Sequence, residues 1–142
     1  MVFLAGLILC GLSFWPPVFA LAADITLAWN PNNEPILGGY LMYYGAYSGG
    51  PYDGEAALDG PSPINVPLDS LTDPRAPRLT VHGLGDGTYY FTATAYDAQG
   101  YESNFSNEVA ARIVDGRVTV VTISESSGGG GGGGGCFISA TQ

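Results

Sequence analysis

The most constraining feature of this sequence is the alternating run GTYYFTATAYD at residues 87–97. An extended chain sends successive side chains to opposite faces, so the run has two faces, each rich in good strand formers. One face carries Tyr89, Phe91, Ala93 and Ala95, and the other carries Tyr90, Thr92, Thr94 and Tyr96. Turn residues flank the run on both sides. The pattern predicts a central strand of a β-sandwich.

Shorter runs with the same period occur along the rest of the chain, separated by Gly, Pro, Asn and Asp. They lie at residues 24–29, 39–45, 64–68, 78–84, 108–113 and 117–123. The predicted inward side chains are Ile25, Leu27, Trp29, Tyr40, Met42, Tyr44, Leu79, Val81, Val109, Ala111 and Ile113. Residues 45–63 are rich in Gly, Pro and Ser and predict a long irregular loop. Many short strands without a helical period indicate an all-β sandwich.

Composition divides the chain into four parts. Residues 1–22 are apolar, contain Pro-Pro and end in an A-x-A pattern, which predicts a secretory signal peptide and a secreted or cell-surface protein. No Lys or Arg precedes this apolar run, which departs from the usual signal pattern. Residues 23–114 are the predicted sandwich, residues 115–125 an extra strand, and residues 126–142 a flexible tail containing eight consecutive glycines. No membrane span is expected after the signal peptide.

The charge balance excludes some classes of partner. Thirteen acidic residues stand against four arginines and no lysine, which gives a formal net charge of −9. Nucleic acids are bound mainly through Lys and Arg contacts to phosphate, and anionic membranes attract basic segments. We therefore expect neither nucleic acid nor an anionic lipid surface to be the partner.

The reactive side chains do not form a catalytic or metal-binding pattern. Cys10 lies in the predicted signal peptide, so Cys136 remains without a second cysteine for an intramolecular disulfide. His82 is the single histidine, and its alternation with Val81 predicts an exposed position. We expect no enzyme activity, no cofactor and no metal.

The ordered set TLAWNP, GYLMYYG, LTVHGL, TYYFTATAYD and SNEV, between residues 25 and 113, resembles a fibronectin type III domain of the type found in secreted bacterial proteins. The resemblance implies that Trp29 is the core tryptophan of strand B, and that Leu84 and Tyr89 form the corner at which a Tyr hydroxyl bonds back to the main chain. The corner is one residue shorter than usual. Alternation adds Tyr40 and Phe91 to the expected core. The resemblance implies an all-β, immunoglobulin-like sandwich of two packed antiparallel sheets. It also implies binding or spacing rather than catalysis.

One departure from the family concerns its first strand. Residue 23 lies almost at the start of strand B, so strand A is missing or is replaced by the strand at residues 117–124. That strand could fill the open edge in its own molecule or add to a neighbour's sheet. The first choice is favoured because a tethered strand has the higher effective concentration.

The tail resembles the glycine run followed by a Cys-Phe-Ile box at the C-termini of some secreted bacterial proteins. The resemblance implies processing or attachment at Cys136. The alternative is a free thiol on a disordered tail.

Aromatic residues predict a binding face on the outer side of the sandwich. The full set is Tyr43, Tyr47, Tyr52, Tyr90, Tyr96, Tyr101 and Phe105. Tyr43, Tyr90, Tyr96 and Tyr101 leave the outer face or the loop beside it, and Tyr makes flat contacts at low entropic cost. The alternative is cross-strand pairing that only stabilises the sheet. The leading hypothesis is a non-enzymatic, exported binding or spacer module for a protein or carbohydrate. The others are a structural subunit that self-associates by strand exchange, and an accessory module of a polysaccharide-active system.

Overall fold

The computed structural model describes residues 21–124 and 138–141, in which eight strands form two antiparallel sheets. A 3-10 turn, Leu68–Ser70, follows the third strand. The strands are β1 Ala23–Trp29, β2 Leu37–Gly45, β3 Ile64–Pro67, β4 Arg78–Leu84, β5 Gly87–Asp97, β6 Glu108–Val114, β7 Arg117–Ser124 and β8 Ile138–Thr141.

The two sheets have the orders β4-β1-β8 and β3-β2-β5-β6-β7. Every pairing is antiparallel, and β5 lies in the middle of the larger sheet. The short strand β3 contains Pro67 and lies at an edge, where a residue without an N–H is tolerated. The prediction of an all-β sandwich is confirmed.

The core forms between the sheets from alternate residues of their inner faces. Trp29 of β1 packs edge-on against Tyr40 of β2, with ring centroids 5.1 Å apart, and Tyr44 stacks on Phe91 at 6.3 Å. The predicted inward side chains are buried, except that Leu79 is only half-buried. Of the expected core residues, Trp29, Tyr40, Leu84 and Phe91 are buried, and Tyr89 is half-buried.

The turn from β4 to β5 holds Tyr89 in a specific contact. The Tyr89 hydroxyl donates a hydrogen bond of 3.1 Å to the carbonyl of Gly85, four residues earlier. Burial, together with the nearby Tyr44 and Asp86, raises the pKa of Tyr89, so the hydroxyl keeps its proton as a donor. The hydroxyl therefore ties the start of β5 to the end of β4.

The irregular loop after β2 is anchored on one buried hydroxyl. Tyr44 donates to the carbonyl of Gly60 at 2.9 Å and accepts from the amide of Ala57 at 3.1 Å. Gly54 lies so close to the Tyr44 ring that a Cβ would clash with it. The loop thus covers one end of the core without regular structure.

The prediction that residues 117–124 replace the first strand is wrong. These residues form β7, which pairs with β6 along its whole length and not with β1. The cause is the turn at Asp115 and Gly116, whose φ angles of 52° and 68° match the two-residue hairpin geometry. Both turn amides also donate to the carboxylate of Asp86, at 2.9 Å each. A hairpin this short makes its two strands neighbours.

The outer edge of β1 is paired instead with the C-terminal strand. Residues Thr26–Trp29 of β1 lie in register with Thr141–Ile138 of β8. β8 lies within residues 126–142, which the glycine run predicts to be a flexible tail. A four-residue strand after a glycine run has little local pattern from which it could be predicted. Cys136 lies outside the described residues.

Candidate binding surface

Three aromatic rings form a contact group on the outer face of the larger sheet. Tyr43 leaves the outer face of β2, opposite Thr92 of β5. Phe105, from the loop between β5 and β6, packs edge-on against Tyr43, with ring centroids 5.1 Å apart and planes at 84°. Tyr52, from the loop after β2, also packs edge-on against Phe105, with ring centroids 5.6 Å apart and planes at 68°. Phe105 is nevertheless 55% exposed.

Two carboxylates hold the two tyrosines of this group. Glu102 accepts from the Tyr43 hydroxyl at 2.8 Å and from the Thr94 hydroxyl at 3.0 Å, both on Oε2. Glu108 accepts from the Tyr52 hydroxyl at 2.6 Å. We call Tyr43, Tyr52, Phe105, Glu102 and Glu108 the aromatic–carboxylate surface.

Glu108 also fixes the loop that carries Tyr52. Its carboxylate accepts from the Ser48 hydroxyl at 2.7 Å and from the Gly49 amide at 2.8 Å. Partial burial opposes ionisation, but the bonds from Gly49, Ser48 and Tyr52 outweigh it and lower the pKa of Glu108. The group is therefore an anion at neutral pH.

The tyrosine hydroxyls are donors that do not ionise at neutral pH. Burial, followed by the bond to Glu108, raises the pKa of Tyr52 to about 12. Burial and then Glu102 raise the pKa of Tyr43 in the same direction. The surface therefore combines neutral aromatic rings with two carboxyl groups, a combination that offers both flat apolar contact and hydrogen-bond acceptors.

Two serines position Phe105 by completing the backbone bonds of β5. The Ser106 amide donates to the carbonyl of Ala93 at 2.8 Å, and the Ser106 hydroxyl accepts from the Ala93 amide at 2.9 Å. Ser103 repeats this arrangement at Ala95, at 2.8 and 3.0 Å. The loop thus runs along β5 as an irregular extra strand, with Phe105 beside Ser106.

The four tyrosines of the predicted face do not form one strip. Tyr43 belongs to the aromatic–carboxylate surface. Tyr96 lies over Gly38 and Gly39, where a Cβ at either glycine would meet its ring. Tyr96 and Tyr101 line a cleft of about 190 Å³, and Tyr101 is 76% exposed.

Tyr90, the fourth of these tyrosines, is half-buried in register with Gly45 and Ala110, and makes no ring–ring contact within the described residues.

Sequence reasoning included Tyr52 and Phe105 among the aromatic residues suited to binding, but it did not assign them to the binding face or connect Glu108 with them. Phe105 and Tyr52 lie in loops, where period-two alternation assigns no face. Glu108 is separated from Tyr52 by more than fifty positions, so no local pattern joins them. Alternation also missed the burial of Thr92 and Thr94, which are covered by the loop that carries Ser106 and Glu102.

His82 lies on the other sheet, in contact with one carboxylate. Its Nδ1 is 3.0 Å from Asp59 Oδ1, and its amide donates to Asp59 Oδ2 at 2.6 Å. The side chain is 48% exposed. These bonds attach the loop after β2 to the edge of β4. Across residues 21–124 and 138–141, no group of three potential metal ligands occurs.

No family model, no curated protein and no solved structure matches this chain. Within the described part of the chain, no helix has the length and apolar character needed to cross a membrane.

Proposed function

We propose that this protein is an exported, non-enzymatic binding module of the fibronectin type III-like class, which contacts a protein or a carbohydrate through the aromatic–carboxylate surface. The sandwich with Trp29 at its centre and the bond from Tyr89 to Gly85 support the class assignment. Export rests on the apolar segment at residues 1–22, and surface attachment rests on the box at Cys136.

The observation that carries the proposal is the exposed side chain of Phe105, whose ring makes edge-on contacts with both Tyr43 and Tyr52. Exposing an apolar ring to water costs free energy, and ordering it in advance lowers the entropy that a ligand must remove. Aromatic anchors of this kind dominate the energetics of many interfaces.

The experiment is a parallel screen of the exported protein against a glycan array and a displayed peptide library, followed by affinity measurements on variants. Phe105→Ala is expected to weaken binding of the selected ligand by about tenfold or more, the usual scale for an aromatic anchor. Glu108→Gln is expected to weaken it less, because Tyr52 keeps a hydrogen-bond partner there.

Leu58→Ala is the matched control. Leu58 is 81% exposed but lies in the loop segment attached to the β4 edge of the smaller sheet, so its loss should leave affinity unchanged. If Phe105→Ala binds as well as the unaltered protein, or if neither screen gives a ligand, the proposal fails.

A further inference from the structure

A small cleft lies at the end of β5 and shares one residue, Glu102, with the aromatic–carboxylate surface. Its volume is about 190 Å³. This is more than about ten times the space that one water needs, and it is below the roughly 300–1,000 Å³ of pockets for drug-sized molecules. Leu37 and Ala95 contribute apolar lining, and Tyr96 and Tyr101 contribute aromatic rings. The cleft therefore has room for a single side chain or a group of similar size.

Local contacts position both tyrosines of the cleft. The Tyr96 ring lies so close to β2 that a Cβ at Gly38 would come within 2.8 Å of it. The Tyr101 amide donates to Asp97 Oδ1 at 3.0 Å, and the Tyr101 carbonyl accepts from the Asp97 amide at 3.0 Å. The backbone of Tyr101 is thus tied to the end of β5, although its side chain is 76% exposed. Tyrosine rings attract a cation that lies over their faces.

Each of the three carboxylates in the cleft lining accepts hydrogen bonds on one oxygen. Glu102 Oε2 accepts from two hydroxyls, Asp97 Oδ1 from two backbone amides and Glu34 Oε1 from one side-chain amide. Among residues 21–124 and 138–141, the second oxygen of each carboxylate accepts no hydrogen bond, and none of the three forms an ion pair. The cleft lining contains no Lys, Arg or His. Three acceptor oxygens therefore remain available to a ligand.

These acceptors favour one kind of cation. The sequence contains no lysine, and its four arginines lie outside the cleft lining, so the cation comes from another molecule. A guanidinium binds best as a fork to both oxygens of one carboxylate, and each carboxylate of the cleft already has one oxygen bonded. An ammonium has three rotatable donors and suits single oxygens from separate carboxylates. A lysine side chain also has an aliphatic stem that packs on apolar surface.

We propose that the cleft binds a lysine side chain of a protein ligand, with the stem against Leu37 and Ala95 and the ammonium beside Tyr101 and the carboxylates. The inference rests on the proposed function for its ligand, and of the two ligand classes named there it selects protein. A neutral carbohydrate has no cation to place in the cleft. Glu102 belongs to both sites, which places the lysine site next to the aromatic rings.

The test is a nuclear magnetic resonance titration of the exported full-length protein with N-acetyl-lysine methylamide. N-acetyl-norleucine methylamide is the matched control probe, because it keeps the aliphatic stem and lacks the ammonium. Choline is the third probe, because it represents a small free cation. Tyr101→Ala removes a ring of the cleft, and Tyr47→Ala is its control, because Tyr47 is 66% exposed and lies outside the cleft lining.

We expect the lysine probe to shift the amide resonances of Tyr96, Tyr101 and Glu102 in a saturable way, and the norleucine probe to leave them unchanged. Tyr101→Ala should weaken binding of the lysine probe by about two- to fivefold, the scale of an exposed cation–π contact, whereas Tyr47→Ala should not weaken it. Equal shifts with the two blocked amino acids, or no shift at these residues, would overturn the proposal. Tighter binding of choline than of the lysine probe would assign the cleft to a free small cation and would overturn it as well.

Phe105→Ala separates this inference from the proposed function. Phe105 does not line the cleft, so the variant should bind the lysine probe as the unaltered protein does. A positive titration with a failed ligand screen would support the lysine site and overturn the proposed function. A negative titration with a successful screen would overturn the lysine site alone.

Discussion

At the scale of single residues, Trp29 joins the two sheets. Its ring is 5% exposed and packs edge-on against Tyr40 of the facing sheet. Its indole Nε1 is buried and has no hydrogen-bond partner within the described part of the chain. Trp29 therefore stabilises the fold through its buried apolar area and its packing, whereas its buried, unpaired N–H lowers the stability.

Replacing Trp29 by Ala is expected to lower the free energy of unfolding by about 3–5 kcal/mol, the usual cost of a large aromatic cavity. This is a large share of the total free energy of unfolding of a domain, which is roughly 5–15 kcal/mol. Urea unfolding followed by far-ultraviolet circular dichroism measures it. Trp29→Phe should cost less, because it keeps a ring and removes the unpaired N–H. A loss below about 1 kcal/mol for Trp29→Ala would show that the side chain lies outside the core.

The Asp59–His82 pair gives the fold a defined pH dependence. The hydrogen bond from the ring to Asp59, set against desolvation, raises the pKa of His82 above its ordinary value, with the charges of Asp59 and Asp24 adding to the effect. For Asp59, partial burial opposes ionisation, but the bonds and charge of His82 lower its pKa. Each group is therefore more easily charged in the folded state.

The signs of these shifts fix the pH window. The His82 contribution is complete below the unfolded pKa of about 6.5 and is lost as the pH rises through the raised folded value. The Asp59 contribution is complete above the unfolded value and is lost as the pH falls through the lowered one. The pair thus stabilises the fold most between the unfolded pKa of the aspartate and the unfolded pKa of His82.

We expect Asp59→Asn to return the pKa of His82 towards its ordinary value, since the variant removes the carboxylate charge. A nuclear magnetic resonance titration of the His82 ring protons in both proteins measures this directly. Asp73→Asn is the control, because Asp73 bonds the backbone of Arg75 in another loop. An identical His82 pKa in the protein and in Asp59→Asn would contradict the contact.

At the scale of elements, β5 organises the larger sheet. Its first half pairs with β2 and β6, and its second half pairs with β2 and with the loop containing Ser103 and Ser106. The strand itself was predictable from alternation, because each of its faces is rich in residues that favour strands. The loop was not, because hydroxyls that replace main-chain partners leave no periodic signal.

Ser106→Ala is expected to destabilise the protein by about 1–3 kcal/mol, because the Ala93 amide loses its acceptor inside the structure. Ser70→Ala is the matched control. The Ser70 hydroxyl bonds the Pro67 carbonyl at an exposed site, so its loss should cost little. The stabilities of the two variants are compared by the midpoints of their urea unfolding curves. Equal midpoints would mean that Ser106 does not complete β5.

At the scale of the whole molecule, local pattern predicted the strands better than their partners. The bounds of β1, β2, β4, β5 and β6 follow from alternation and turn residues. The strands with which β1 and β7 pair cannot be predicted in this way, because strand pairing depends on loop length and on competition between the edges of the sheets. The turn at Asp115 and Gly116 already favoured pairing of β7 with β6, which is the stronger local signal.

The aromatic–carboxylate surface, too, could be predicted from the sequence only in part. Alternation placed Tyr43 on the outer face, but Tyr52, Phe105 and Glu108 meet it only through the fold. The sequence therefore supplies aromatic residues suited to binding, and the two long loops decide which of them come together. Phe105 is the member on which both loops converge.

The measurement that tests the account most directly is a nuclear Overhauser experiment on the Phe105 ring protons in the unaltered protein. Ring centroids 5.1 Å from Tyr43 and 5.6 Å from Tyr52 predict strong cross-peaks from Phe105 to both tyrosine rings. Cross-peaks to both rings would establish the fixed, exposed aromatic group on which the proposed binding function rests. A Phe105 ring without cross-peaks to either tyrosine would contradict it.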